Sequence, residues 1–164
     1  MIFSSKIPDD GKKALLQLQQ QFGWSEDQLD YLIACMKFES NLNPQAVNKA
    51  SGAVGLIQFM PSICKAYGTT AELMKSRSFA QQIPYVKKHF LPYYKRTHTL
   101  SDMYMAILYP NCIGKPDDYP MFVNGKKYEQ NKGLDKNKDH IVTKIEATLM
   151  VLKCYEQGLQ DRGL

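Results

Sequence analysis

Apolar residues recur along most of this chain at the three- and four-residue spacing of amphipathic helices. Capping boxes, glycines and prolines mark where these stretches begin and end. Together they predict the following helices, in chain order: one through Leu15, Leu18 and Phe22 that ends at Gly23, one that opens at the capping box Ser25-Glu26-Asp27-Gln28, one from Pro61 to Gly68, one behind the capping box Thr69-Thr70-Ala71-Glu72, one from Phe79 to Tyr93, one from Ser101 to Tyr109 and one from Thr143 to Gly158. The chain is therefore expected to be mainly helical.

Three features interrupt the helical pattern. A loop rich in asparagine and glycine runs from Ser40 to Gly55, and Pro84 is expected either to kink its helix or to mark the start of it. Asn124-Gly125, between Phe122-Val123 and Lys126-Lys127-Tyr128, is typical of a two-residue β-hairpin turn. The predicted fold class is α+β, predominantly α-helical, with one small β-hairpin.

Length and composition fit one ordinary globular domain over residues 1–164. The chain has 164 residues, 44% of them hydrophobic and 23% charged, which excludes a disordered, collagen-like or fibrous protein. No apolar run approaches the roughly 20 residues of a transmembrane helix. The stretch from Met1 to Asp10 lacks the hydrophobic region of a signal peptide, so we expect the protein to be made in the cytoplasm.

The net charge of +5 comes from 21 lysines and arginines against 16 aspartates and glutamates, and only three of the basic residues are arginines. Proteins that recognise nucleic-acid bases rely on arginine, whereas a lysine surface suits any polyanion or serves solubility alone. We therefore predict no nucleic-acid partner. The four cysteines have no metal-ligand spacing and lie in apolar stretches, so reduced, packed thiols are expected.

Glu39 departs most clearly from the apolar pattern. It follows Leu32 by seven positions and Met36 by three, so a continuing helix places its carboxyl group on the core-facing stripe. A carboxyl group there is paired, bends out to solvent, or has its pKa raised by desolvation. In the last case it remains protonated near neutral pH and can act as a general acid.

The segment after Glu39 carries polar groups suited to sugars. Asn41, Asn43 and Asn48 offer amides for hydroxyl and acetamide groups, and the glycines of the following turn let the backbone approach a ligand closely. The stretch resembles the goose-lysozyme-like lytic transglycosylases, the soluble lytic transglycosylase (SLT) domain of bacteria and phages. The residues that carry the resemblance are Glu39-Ser40, Asn43-Pro44, Ala46 and Ser51-Gly52-Ala53-Val54-Gly55-Leu56-Ile57-Gln58-Phe59-Met60-Pro61.

This resemblance implies a lysozyme-like fold and an enzyme that acts on peptidoglycan glycan strands. It implies Glu39 as the catalytic acid and base. The implied substrate contacts are Ser40, Asn48, Gln58, Met60 and Tyr109. Three positions depart from the family pattern: Asn48 stands where the family often has a serine, Ile57 replaces a usual methionine, and Pro110 replaces an asparagine after Tyr109.

After Glu39 the next acidic residue is Glu72, so the sequence offers no obvious second carboxylate. Because most glycosidases use two carboxylates, this favours a single-acid mechanism. In it, Glu39 cleaves the β-1,4 bond between N-acetylmuramic acid and N-acetylglucosamine and leaves a 1,6-anhydro ring. The alternatives are a hydrolytic muramidase and a non-catalytic wall-binding or structural virion protein. The acids that could complete a muramidase site are Glu72, Asp102, Asp117 and Asp118.

A second pattern, between residues 135 and 146, has the spacing of an EF-hand calcium loop. The ligand positions would be Asp135, Asn137, Asp139, Ile141 through its carbonyl, and Glu146. His140 stands where the motif has glycine, which requires a left-handed backbone. The alternative is a capping box from Thr143 to Glu146 behind an Asp-rich turn. The predicted reaction requires no cofactor, and calcium is an optional ligand of this loop.

Without an export signal, an enzyme of this kind must reach the wall by another route, and we expect a phage origin. The expected partners are peptidoglycan glycan strands and, for delivery, a phage virion or a secretion complex. Host-cell lysis would serve equally as the route. The lysine surplus would hold the protein near anionic wall polymers by a salt-dependent attraction.

Overall fold

The computed structural model describes residues 1–162, which are 61% helical with one small antiparallel sheet. This confirms the predicted α+β, predominantly α-helical fold. The helices are α1 (Asp9–Phe22), α2 (Glu26–Ser40), α3 (Pro61–Ala66), α4 (Ala71–Lys75), α5 (Phe79–Phe90), α6 (Leu100–Leu108), α7 (Gly125–Asn131) and α8 (Lys144–Asp161), and the strands are β1 (Pro120–Val123) and β2 (Ile141–Thr143). Within the described range, no helix combines the length and apolar character needed to cross a membrane.

Local capping interactions fix the ends of several helices as the sequence predicts. Helix α2 begins at a capping box in which Gln28 N donates to Ser25 Oγ at 3.2 Å and Ser25 N donates to the Gln28 side chain at 3.0 Å. Thr143 and Glu146 form the same arrangement at the start of α8. Helix α1 ends where Gly23 takes a left-handed backbone, with φ of 64°.

Helix α4 begins one residue later than its predicted capping box, Thr69 to Glu72. Its N-cap is Thr70, whose side chain accepts a hydrogen bond from Leu73 N at 3.1 Å. Thr69 is buried, and its hydroxyl accepts a hydrogen bond from Arg77 Nη1 at 3.1 Å. This tertiary contact occupies the side chain that local sequence assigned to the cap.

Helix α5 begins at a capping box of Ser78 and Gln81 that the apolar pattern alone did not reveal. Pro84 lies inside the helix and neither starts nor ends it, because a proline removes one backbone hydrogen bond without preventing the helix from continuing. The helix ends at Phe90, three residues before the predicted end at Tyr93.

The predicted hairpin is wrong in its partner strand. Strand β1 pairs antiparallel with β2, with Phe122 opposite Val142, and does not pair with residues 126–128. Asn124 has φ 52° and ψ 169°, which does not fit the hairpin turn, and Gly125 begins α7. Phe122 and Val142 are both buried. Strand β2 therefore gives Phe122 an apolar partner, which the polar segment directly after Gly125 does not offer.

Helix α2, which carries Glu39, runs through the hydrophobic core. Its residues Leu32, Ile33 and Met36 are fully buried, and it packs against α6 and α8, while α1 packs against α5. Glu39, in the last turn of α2, therefore lies at the edge of the hydrophobic core. The four cysteines are free thiols, as predicted, and the buried ones are Cys35, Cys64 and Cys112.

Candidate active site

Glu39 lies in the last turn of α2, where this buried helix meets the loop that follows. Leu32 and Met36, two turns and one turn earlier, are fully buried, so the helical repeat carries Glu39 along the same face. Asn41 ends the helix with a left-handed backbone, φ 54°, and its N–H donates to Lys37 O at 3.0 Å. This sharp ending directs the chain back across the end of α2.

Burial dominates the electrostatics of Glu39. Desolvation raises the pKa of Glu39 from an ordinary 4.5 to about 7, and the neighbouring Tyr104 hydroxyl, which favours the charged form, offsets part of that increase. The pKa of Tyr104 is raised by its own burial and by the neighbouring Glu39 carboxylate, so the phenol keeps its proton. Glu39 can therefore both donate and accept a proton near neutral pH.

The loop of residues 46–60 is folded onto itself by short β-bridges. Val54 pairs with both Val47 and Phe59. Gly55 and Gln58 both have positive φ, 79° and 56°, and Gln58 donates to Gly55 O from its backbone N and its Nε2, each at 3.1 Å. A glutamine in this conformation is strained, and such strain is found preferentially at functional sites.

Glu39, this loop and the end of α6 enclose an open cleft of about 270 Å³. The residues that line it are Glu39, Asn48, Ser51, Ala53, Ile57, Gln58, Met60, Ile107 and Leu108. A smaller cavity of about 60 Å³ adjoins it and reaches His89. One ionisable group among amides and apolar surface suits a neutral polar chain such as a glycan.

Three of the predicted contact residues line this cleft together with Glu39: Asn48, Gln58 and Met60. The Asn48 side-chain oxygen accepts hydrogen bonds from Ala50 N at 3.0 Å and Ser51 N at 3.2 Å, which fixes the amide at the cleft wall. Met60 is 44% exposed, so it offers a polarizable apolar surface to a ligand.

Ser40 is buried and does not line the cleft, in contrast to the predicted substrate contact. Its hydroxyl bonds to Met36 O at 2.9 Å and to Leu56 O at 3.0 Å. Ser40 thus points inward, whereas Glu39 before it points to the edge of the cleft. The hydrogen bond to Leu56 O joins the end of α2 to the loop, so Ser40 affects the site by holding these two elements together.

The phenol beside Glu39 belongs to Tyr104, whereas Tyr109, a predicted substrate contact, does not line the cleft. Helix α6 ends at Leu108, so Tyr109 leaves the helix, and its hydroxyl accepts a hydrogen bond from Lys127 Nζ at 3.3 Å while its ring packs on Phe122. The missed signal is a single tyrosine within the apolar run from Met103 to Leu108 of α6, the same kind of signal that identified Glu39.

Glu39 is the one carboxyl-bearing residue that lines the cleft in the described part of the chain. Asp102 is instead held in an ion pair with Lys144, whose Nζ lies 2.6 Å from Asp102 Oδ1. The acids considered as a second carboxylate all lie outside the cleft lining: Glu72, Asp102, Asp117 and Asp118.

The predicted calcium loop is closed by its own hydrogen bonds. Asp135 accepts from Tyr128 Oη at 2.8 Å, Lys138 N at 2.7 Å and His140 N at 3.1 Å, and Glu146 is engaged in the capping box of α8. His140 has the left-handed backbone that the motif requires, with φ of 66°. Among residues 1–162, no three His, Cys, Asp or Glu side chains are grouped as a metal site. Calcium therefore stays a prediction for the proposed ligands Asp135, Asn137, Asp139, Ile141 and Glu146.

The comparison with protein families places the cleft in a known context. The family model of phage tail lysozymes matches residues 11–109, more than half of the chain, and this range contains Glu39, the loop of residues 46–60 and all of α6. A comparison with curated protein sequences finds none with significant similarity. The cleft and its buried carboxyl group fit the lysozyme-like, peptidoglycan-degrading activity of this family. By this match, the chain belongs to the phage tail lysozyme family.

Proposed function

We propose that this protein is a lytic transglycosylase of the SLT type, which cleaves the β-1,4 bond between N-acetylmuramic acid and N-acetylglucosamine. The observation that carries the proposal is the desolvated Glu39 carboxyl group, which has a pKa of about 7 and is the one carboxyl group lining the cleft among residues 1–162. Membership in the phage tail lysozyme family supports peptidoglycan as the substrate. The resemblance of residues 39–61 to the SLT domain supports the type of reaction.

In the first step, protonated Glu39 donates its proton to the glycosidic oxygen as the bond from that oxygen to C1 of N-acetylmuramic acid breaks. The N-acetylglucosamine side leaves as an alcohol, and the substrate acetamide stabilises the positive charge at C1. Because burial raises the pKa of Glu39 to about 7, a large share of the free enzyme carries the proton near neutral pH, before substrate binds.

In the second step, the Glu39 carboxylate removes the proton of the 6-hydroxyl group of N-acetylmuramic acid, and this oxygen bonds to C1. The product is a 1,6-anhydro ring, Glu39 regains its proton, and no water is consumed. The neighbouring Tyr104 hydroxyl stabilises the carboxylate between the two steps. Most hydrolytic glycosidases use a second carboxylate to activate water, and among the described residues the cleft lining offers none.

The other cleft residues bind the glycan. The amides of Asn48 and Gln58 are suited to sugar hydroxyl and acetamide groups, and the exposed Met60 side chain is suited to the apolar face of a sugar ring. We further propose that the enzyme acts from a phage tail, as the description of its family suggests. The net charge of +5 would favour association with the anionic wall.

Digestion of purified peptidoglycan by the wild type and by Glu39→Gln tests the proposal. We expect the wild type to release anhydromuropeptides, identified by mass spectrometry, and Glu39→Gln to release at least about a hundredfold less because it has no proton to donate. Glu72→Gln is the matched control, since Glu72 is an exposed partner of Lys75, and it should retain full activity. Reducing ends would identify a muramidase, and a folded but inactive wild type would identify a wall-binding protein.

A further inference from the structure

Gln82 is a fully buried amide on α5 whose side chain bonds three separate parts of the chain. Its Oε1 accepts a hydrogen bond from Leu56 N at 2.9 Å, and its Nε2 donates to Pro44 O at 2.6 Å and to Met74 O at 3.0 Å. No cleft residue is among these partners. The amide therefore connects the loop after α2 to α4 and α5 without touching the site directly.

The peptide unit of Leu56 is held from two opposite directions. Gln82 bonds its N–H from α5, and the Ser40 hydroxyl bonds its C=O from the end of α2 at 3.0 Å. Ser40 directly follows Glu39, and Leu56 is followed by Ile57 and Gln58, which line the cleft. The Leu56 peptide unit thus ties the cleft wall both to the end of α2, beside Glu39, and to α5.

The backbone at Gly55 is shaped to admit the Gln82 amide. A Cβ atom at this position would lie 2.5 Å from Gln82 Oε1, closer than any van der Waals contact permits. Gly55 also has φ of 79°, a conformation that suits glycine. The sequence carries a matching signal, since Gln82 interrupts the apolar stripe of Phe79, Ile83 and Val86 as Glu39 interrupts that of α2.

We propose that Gln82 is a positioning residue for the reaction at Glu39, which sets the distance between the cleft wall at Ile57 and Gln58 and the carboxyl group. The inference rests on the proposed function for its catalytic readout. A displacement of about 1 Å in groups that orient a substrate can lower a rate about a hundredfold. Loss of the Leu56 hydrogen bond releases the wall from α5 and permits such a displacement.

The test compares Gln82→Met, which keeps the length of the side chain but not its hydrogen bonds, with the neighbouring Gln81→Met. Gln81 is exposed and serves only in the capping box of α5. On soluble glycan strands we expect Gln82→Met to lower kcat about ten- to a hundredfold, with a KM change below about threefold. Gln81→Met should leave both parameters within about twofold of the wild type.

Hydrogen exchange of the Leu56 amide supplies a readout that needs no substrate. It should accelerate in Gln82→Met relative to core amides of α2 and stay unchanged in Gln81→Met. Ser40→Ala releases the same peptide unit from its other end, so the double variant Ser40→Ala/Gln82→Met should lose less kcat than the product of the two single losses. Such coupling is not expected of two unrelated structural defects.

An unchanged kcat in folded Gln82→Met overturns the proposal, and so does a loss of kcat without faster exchange at Leu56. If Gln82→Met does not fold, Gln82→Asn takes its place, because its amide is one methylene too short to reach Leu56. Failure of the proposed function has a different signature, since the wild type would then release no anhydromuropeptides while the exchange of Leu56 still tests the contact.

Discussion

Glu39 and Tyr104 form a pair in which the phenol moderates an effect of burial. Desolvation raises the pKa of Glu39 to about 7, and the Tyr104 hydroxyl limits the increase by stabilising the carboxylate. A general acid with this pKa is mostly protonated below pH 7 and mostly ionised above it. The pH dependence of the enzyme should therefore follow this one carboxyl group.

Tyr104→Phe is expected to move the alkaline limb of the kcat/KM profile to higher pH. Removal of the phenol takes away the interaction that lowers the pKa of Glu39, so the carboxyl group keeps its proton at higher pH. Tyr109→Phe is the matched control, because its hydroxyl bonds to Lys127, and it should leave the limb near pH 7. Equal profiles for the two variants would contradict the assignment of Tyr104.

Glu39→Gln is expected to stabilise the protein above pH 7 and to have little effect at pH 4. The folded-state pKa of Glu39 is raised, so stability from this group is present below pH 4.5 and declines as the pH rises through 7. At about 1.4 kcal/mol per pKa unit, this corresponds to about 3 kcal/mol. Urea denaturation at pH 4 and pH 8 measures the difference. A gain that is equal at both pH values, or a similar gain in Glu72→Gln, would contradict the burial of Glu39.

At the scale of elements, the loop of residues 46–60 forms a wall of the cleft beside the end of α2. Its shape depends on positive φ angles at Gly55 and Gln58 and on the buried amide of Gln82 beside Gly55. A side chain at position 55 would therefore collide with the Gln82 amide, in addition to straining the backbone.

Gly55→Ala separates these two contributions when it is compared with Gly68→Ala. Both glycines have nearly the same φ, 79° and 77°, but a Cβ at Gly68 meets nothing within 4 Å whereas one at Gly55 collides with Gln82. We expect Gly68→Ala to cost about 1–2 kcal/mol of unfolding free energy and to leave activity unchanged. Gly55→Ala should cost more and also lower the digestion rate. Equal effects of the two substitutions would show that the approach to Gln82 is unimportant.

The elements that the sequence predicts correctly are those fixed by neighbours along the chain. The capping boxes at Ser25 and Thr143 and the inward face of α2 at Glu39 depend on residues within two turns. Pairing of β1 with β2 and the contact of Tyr104 with Glu39 depend on packing between segments far apart in sequence. Such contacts leave only indirect signals, such as a polar residue on an apolar stripe.

At the scale of the whole molecule, the family match ends at Tyr109, while the fold continues to α8. Helix α8 packs against both α2 and α6, so the C-terminal segment forms part of the wall behind Glu39. Lys144, at the start of α8, is 2% exposed and donates to Asp102 Oδ1 at 2.6 Å and to Lys115 O at 2.7 Å. This buried charge joins the segment after residue 109 to α6.

Lys144→Met should lower the free energy of unfolding by about 3–5 kcal/mol, because it leaves the Asp102 carboxylate without its buried partner. Lys132→Met removes a lysine from an exposed pair with Glu129 and should cost less than about 1 kcal/mol. Adding Asp102→Asn to Lys144→Met removes the unpaired charge and keeps an acceptor for Gly114 N, so part of the loss should be regained. Urea denaturation of the three variants measures these differences. If Lys144→Met and Lys132→Met were equally stable, or if the double variant regained nothing, the ion pair would not be what holds α8 to α6, and apolar packing alone would attach the C-terminal segment to the catalytic helices.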